Sequence, residues 1–281
     1  MGRYGEKNDS VARWLQEGQR ISWRRTVPSG AWRPDARSLE GRKHPIAVED
    51  PNAPDALERF AVSTPSRIAV GRAGTRYLTD TYLVMRADHA IAKDAVYSEI
   101  EEAFPAGLGC IGLRSQCTDR ENYLLYPDRG RRLDDESLRR LAAEGDKGCD
   151  VQIIVGDGLS AWAAERNVPE LLPCLESELK AAGYSVGRPV FVRFARVGVQ
   201  DHVGVTLGSR ATVIFVGERP GLGTGDSLSI YIAYGPKLNQ DNAEKNCISN
   251  VRALGLLPPE AARQTVEILK RAFAAGRGGV A

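Results

Sequence analysis

Cysteine and histidine are scarce in this 281-residue chain, five and three respectively, and neither kind is grouped. Cys110, Cys117, Cys149, Cys174 and Cys247 form no C-x-x-C pair and are odd in number. That excludes a zinc knuckle and a closed disulfide framework, and leaves most of the thiols as buried small hydrophobes. His44, His89 and His202 show neither H-x-x-x-H nor H-E-x-x-H spacing, so no histidine-based hydrolase and no metal site is expected. Long apolar runs are missing as well, and stretches such as 211–216 are far too short to cross a bilayer. The opening MGRYGEKNDS carries no apolar secretion core, so a soluble cytoplasmic protein without membrane contact is expected.

What is present is an ordinary globular mixture, 42% hydrophobic and 26% charged, which excludes a wholly disordered or collagen-like chain. Charge is uneven. Residues 1–45 hold ten Lys/Arg against five Asp/Glu, leaving 28 against 31 for the rest. Trp14, Trp23 and Trp32 sit in that basic lead. Basic residues between aromatics can contact phosphates and stack on bases. The remaining body is slightly acidic and offers no supporting basic face. The plainer reading is therefore a poorly ordered arm that docks on a partner, with no nucleic acid bound.

Residues 1–50 read as a basic, flexible leader without sustained period. Residues 51–107 read as a small helical N-terminal domain. In it, a helix from about Asp80 to Ala103, capped by Thr79, spaces Leu83, Ala87, Ala90, Ile91 and Ala95 three to four apart. From 108 to 281 the pattern changes. Apolar runs at 108–113, 151–155, 190–194, 212–216 and 229–234 alternate with helical stretches. Among these, Glu136–Ala143 follows Asp134 and Asp135, and Pro173–Ala182 carries proline in its first turn. A last helix from Pro258 puts Ala262, Val266, Leu269 and Phe273 on one face. The alternation predicts an α/β fold, a mostly parallel sheet flanked by helices on both faces. Ligands of such sheets sit beyond the carboxyl ends of the strands.

Four segments fall at those ends. Gly156-Asp157-Gly158-Leu159-Ser160 offers a tight turn and a helix cap at Ser160. Gly217–Asp226 is rich in glycine but has no G-K-[ST], and its G-x-G-x-G is not the dinucleotide fingerprint. In both, glycine serves either turn geometry or close backbone approach to a ligand. Arg196 and Val197 end a third strand. The fourth segment, 245–250, holds Cys247. A nucleophilic Cys247 would need an activating histidine, and none is near in sequence, so a packed cysteine touching a ligand is the plainer reading. Few titratable groups are poised for acid–base work. The set suits a binding face for a large, amide-bearing cofactor better than a self-sufficient active site.

The stretches STPSRIAVGRAGTR, ADHAIAKDAV, YLLYPDRGRRL, DVQIIVGDGLS, GRPVFVRFARV, VGERPGLGTGDSLSIY and NCISNV span about residues 63–251. In this order they resemble the small (light) subunit of ethanolamine ammonia-lyase, the adenosylcobalamin-dependent enzyme that converts ethanolamine to acetaldehyde and ammonia. The resemblance implies a helical N-terminal part and a Rossmann-like domain. It implies a hetero-oligomer in which the large subunit holds the substrate site, and cobalamin lies between the subunits with its own base still on cobalt. The chain lacks the D-x-H-x-x-G run that replaces that base elsewhere. By resemblance the cobalamin contacts fall on Val197, Glu218 and Cys247, the first two through backbone amides, with Arg196 as an adjacent polar contact and no catalytic residue of this chain's own. Tyr126 stands where the family more often has Arg, and the leader matches no family pattern. Since the N-terminal segment targets a bacterial microcompartment in some members, that location is the alternative to free cytoplasm. The competing functional reading is a stand-alone nucleotide- or nucleic-acid-binding α/β module.

Overall fold

The alternating pattern from residue 108 onward resolves into one six-stranded sheet with helices on both faces. The computed structural model of the chain describes residues 46–48, 51–64 and 66–279, all within the unit 34–281. A small hairpin pairs β1 (Arg72–Ala73) with β2 (Arg76–Tyr77). The main strands are β3 (Ile111–Arg114), β4 (Val151–Gly156), β5 (Val186–Arg193), β6 (Ala211–Gly217), β7 (Leu228–Tyr234) and β8 (Lys245–Val251). Their order across the sheet is β3-β5-β4-β6-β7-β8. The first four run parallel, while β7 and β8 return antiparallel. From β4 the chain moves to β5 on one side, then crosses back over β4 to β6 on the other. Such a reversal opens a crevice at the carboxyl end of the central strand.

The helices are α1 (Pro54–Ser63), α2 (Thr79–Tyr97), α3 (Ala103–Gly107), α4 (Arg120–Leu125), α5 (Asp135–Glu144), α6 (Ala161–Ala181), α7 (Val199–Leu207) and α8 (Pro258–Ala275). Strands β4 and β6 are buried along their whole length, as strands covered on both faces must be. Successive residues point to opposite faces. Ile153 and Val155 join Leu171, Leu175 and Leu179 of α6 and Leu269 of α8 in one core. Ile154 joins Leu141 of α5 and Val203 and Leu207 of α7 in the other. Caps fix the helix starts: Asp134 accepts from Ser137 N–H at 2.7 Å, and Ser160 from Ala163 N–H at 3.3 Å.

Three expectations need correction. No helix begins at Pro173, because α6 runs unbroken from Ala161 through Pro169 and Pro173. An interior proline costs about 3 kcal/mol, but the buried Leu171, Leu172, Leu175 and Leu179 outweigh it on packing. Helix α2 stops at Tyr97 rather than Ala103, and Thr79 lies inside it with no side-chain cap bond at its start. Strand β8, too polar to read as one, closes the sheet.

The expected helical N-terminal domain is not found as such: residues 54–107 hold α1, α2 and α3 around the small β1–β2 hairpin, and the described residues show no core of their own there. Helix α2 buries only Thr81, Asp88 and Ala95, and Leu83, Ala87 and Ala90 of the expected apolar face are exposed. Ile100 and Phe104 instead join the core under α6. The expected leader 1–50, with its three tryptophans, lies outside the described residues apart from 46–48. Among the described residues no helix is long and apolar enough to cross a membrane.

Candidate functional site

A cleft of about 470 Å³ opens at the carboxyl ends of β4, β5 and β6. Its floor is set by two glycines. Gly158 sits at φ +60°, where a side chain is strained, and a Cβ there would stand 2.4 Å from the Gly217 carbonyl oxygen. A Cβ on Gly217 would stand 2.1 Å from the Ser160 oxygen. The turns after β4 and β6 therefore lie backbone against backbone, closed by the Leu159 N–H donating to the Gly217 oxygen at 2.9 Å. At these two positions glycine serves contact between turns, leaving the side chains of Leu159 and Val216 to line the cleft.

Beyond β5 the chain makes a pinned turn. Phe194 is buried in the left-handed region at φ +58°, rare for a large side chain. The fully buried Asp157 carboxylate accepts from the N–H groups of Phe194 and Ala195 at 2.9 and 3.0 Å. Ser115 Oγ donates to the Phe194 oxygen at 2.8 Å, and the Tyr123 hydroxyl to the Ala195 oxygen at 3.0 Å. Arg196 N–H donates to the Gly130 oxygen at 2.8 Å, and the Arg196 oxygen accepts from Val199 N–H at 2.9 Å. Every backbone polar group from Phe194 to Arg196 is thus satisfied. The next donor, the Val197 N–H, has no acceptor among the described residues, and Val197 is a residue that borders the cleft. Beside it, the Arg196 guanidinium lies 4.2 Å from the Tyr123 ring centroid and donates through Nη2 to the Tyr123 oxygen at 3.0 Å. Its Nε is buried without a partner.

The opposite wall is acidic and hydroxylic. Glu218 Oε1 accepts from Ser229 Oγ at 2.6 Å and from Asn250 N–H at 2.8 Å. Burial opposes ionisation of this carboxyl, but the hydrogen bonds and the Arg252 charge outweigh it and hold the group below its ordinary value. Cys247 of β8 stands opposite Tyr231 of β7. Cys247 is exposed on the edge strand, and partial desolvation pushes its thiol up against hydrogen bonds from Tyr231 and Ser229; desolvation likewise pushes Tyr231 up to about 12. The thiol therefore stays protonated at neutral pH, and no histidine lines the cleft.

All four residues expected from the sequence, Arg196, Val197, Glu218 and Cys247, border this one cleft. One detail differs. The Glu218 N–H already donates to the Ser227 oxygen at 2.9 Å just beyond the β6–β7 pairing, so the carboxylate, not the amide, is the polar group of Glu218 that can meet a ligand. Sequence reasoning passed over Tyr123, Tyr231 and Ser249, which also border the cleft, and Asp157 behind it. Tyr123 lies in the quoted YLLYPDRGRRL, Asp157 in DVQIIVGDGLS and Tyr231 in VGERPGLGTGDSLSIY, so the signal was in hand but unassigned.

The fold and cleft together define a class: an α/β protein with a crevice at the carboxyl ends of its parallel strands, where the order of chain connection reverses. Within that class the chain belongs to the ethanolamine ammonia-lyase light chain (EutC) family, whose pattern matches residues 54–281. It is 41% identical over 244 residues to the ethanolamine ammonia-lyase small subunit of Clostridium perfringens, covering 87% of this chain and 82% of that one.

Proposed function

We propose that this chain is the small subunit of an adenosylcobalamin-dependent ethanolamine ammonia-lyase. In this reading residues 108–281 form a Rossmann-like domain whose cleft is one wall of the cobalamin site, facing the large subunit. The observation that carries it is the convergence of Arg196 and Val197, Glu218, and Cys247 from three distant segments on one cleft.

The lining fits the group. A corrinoid rim carries amide side chains that both donate and accept. The unpartnered Val197 N–H and the buried Arg196 Nε are donors seeking oxygen, and the ionised Glu218 is an acceptor for amide N–H. Leu159, Val216 and Tyr231 supply apolar surface between them. A cleft of about 470 Å³ holds only part of a corrinoid, as expected of one half of an interfacial site. When bound, adenosylcobalamin supplies the radical chemistry. This chain's residues bind its edge, orient it and keep water from that side.

The test is to titrate adenosylcobalamin into the large subunit with and without this chain, reading cobalamin absorbance and ammonia release. The expected outcome is tight binding and turnover only with both chains present, and no ammonia from this chain alone. Turnover by this chain alone, or unchanged cofactor affinity on adding it, would overturn the reading.

A further inference from the structure

We infer that Asp157 is a positioning residue for the cofactor wall: its carboxylate sets where the Val197 N–H stands by holding the Phe194–Ala195 turn in its left-handed shape. The inference rests on the proposed cobalamin reading only where it says what Val197 meets.

The geometry is one of imposed shape. A bulky residue at φ +58° stays there only if its surroundings over-determine it. Asp157 does so from the neighbouring strand end, since its two oxygens take the two successive N–H groups at 2.9 and 3.0 Å. The carboxylate is itself fixed. It has no exposure to solvent, and its partner Arg120 lies 3.9 Å away. Arg120 is anchored in turn on the oxygens of Val96 at 2.6 Å and Gly158 at 2.8 Å. Asp157 does not line the cleft, and its carboxylate accepts from backbone N–H groups of the turn, so its influence on Val197 passes through the backbone. Two residues beyond the clamped Ala195, the chain presents its first unsatisfied donor. If the clamp loosens, the left-handed turn relaxes and that donor moves.

The experiment uses Asp157→Asn, nearly isosteric but able to accept only one of the two N–H bonds. Hydrogen exchange of the 194–198 segment in the full chain reads the clamp without any cofactor. Titration of adenosylcobalamin into the reconstituted two-subunit complex reads its consequence. Expected are faster exchange confined to this segment and an apparent Kd raised about tenfold, equivalent to about 1.4 kcal/mol, with kcat at saturating cofactor little changed. A merely structural Asp157 would lower the unfolding temperature and leave both the local exchange of 194–198 and the affinity of the folded complex alone, and that result would overturn the inference. Faster exchange with unchanged affinity would uphold the clamp and overturn Val197 as a cofactor contact, so the two failures are distinguishable. Should Asp157→Asn fail to fold, Ser115→Ala removes the bond to the Phe194 oxygen without touching the cleft. It is expected to act in the same direction more weakly, and a silent Ser115→Ala would then overturn the pinned turn.

Discussion

Cys247 illustrates how much a single position can mislead when read alone. In sequence it is a cysteine between asparagine and isoleucine, open to reading as a nucleophile. In the fold it is an exposed residue of the edge strand beside Tyr231 and Ser229, and partial desolvation there holds its thiol above the ordinary value. Cys247→Ser should therefore leave turnover of the two-subunit complex largely intact, and alkylation of the wild-type thiol at pH 7 should be slow. Cys247→Leu should raise the apparent Kd for adenosylcobalamin, since overpacking costs about 1–3 kcal/mol. A Ser variant that binds cobalamin normally but does not turn over would restore the nucleophile. Glu218 makes a pH prediction. Its folded value lies below the ordinary 4.5, so its stabilisation is fully present above pH 4.5 and is lost as pH falls through the folded value. The gap in unfolding temperature between wild type and Glu218→Gln should be constant near neutrality and shrink below pH 4.5. A gap that widened on acidification would contradict the assigned hydrogen bonds.

Among the elements, legibility followed burial. Strands β4 and β6 and helix α8 were readable because each carries an apolar pattern matched to a buried surface. Strand β8 was not. It lies at the sheet edge and buries only Lys245, Ile248 and Val251, and the lysine is neutralised by Asp201 at 2.9 Å, which no local pattern reveals. Helix α2 failed in the opposite sense, since its apolar spacing is real but its face is not covered among the described residues. The Gly156–Ser160 and Gly217–Asp226 turns were located from glycine, yet whether Gly158 and Gly217 serve a ligand or each other could be decided only by their packing. That packing makes a graded prediction. Gly158→Ala and Gly217→Ala should each lower the unfolding temperature, because their Cβ atoms would meet backbone at 2.4 and 2.1 Å. Gly107→Ala, at the end of α3 with nothing within 4 Å, should leave it unchanged. Thermal unfolding of the three variants checks the ranking, and equal losses would mean the two turns do not lie in contact.

At the scale of the whole molecule, the order of chain connection reverses at β4, and the segments that matter converge there from residues 123, 157–159, 196–197, 216–219 and 229–249. The family resemblance gave the four candidate positions, while their convergence and the pinned Phe194–Ala195 turn came only from the fold. The cleft has donors without partners at Val197 and Arg196, while its one carboxylate, Glu218, is already engaged by Ser229 and Asn250 and its thiol stays protonated, which suits a wall more than a self-contained active site. The most direct measurement fills that wall. Ser249 is exposed on β8 and borders the cleft, so Ser249→Trp can occupy the space without disturbing either hydrophobic core. Adenosylcobalamin is titrated into the reconstituted complex carrying this variant, after gel filtration confirms that the two subunits still associate. The account predicts an intact complex whose apparent Kd for adenosylcobalamin rises at least about tenfold, the equivalent of about 1.4 kcal/mol. Wild-type affinity in an intact Ser249→Trp complex would contradict it.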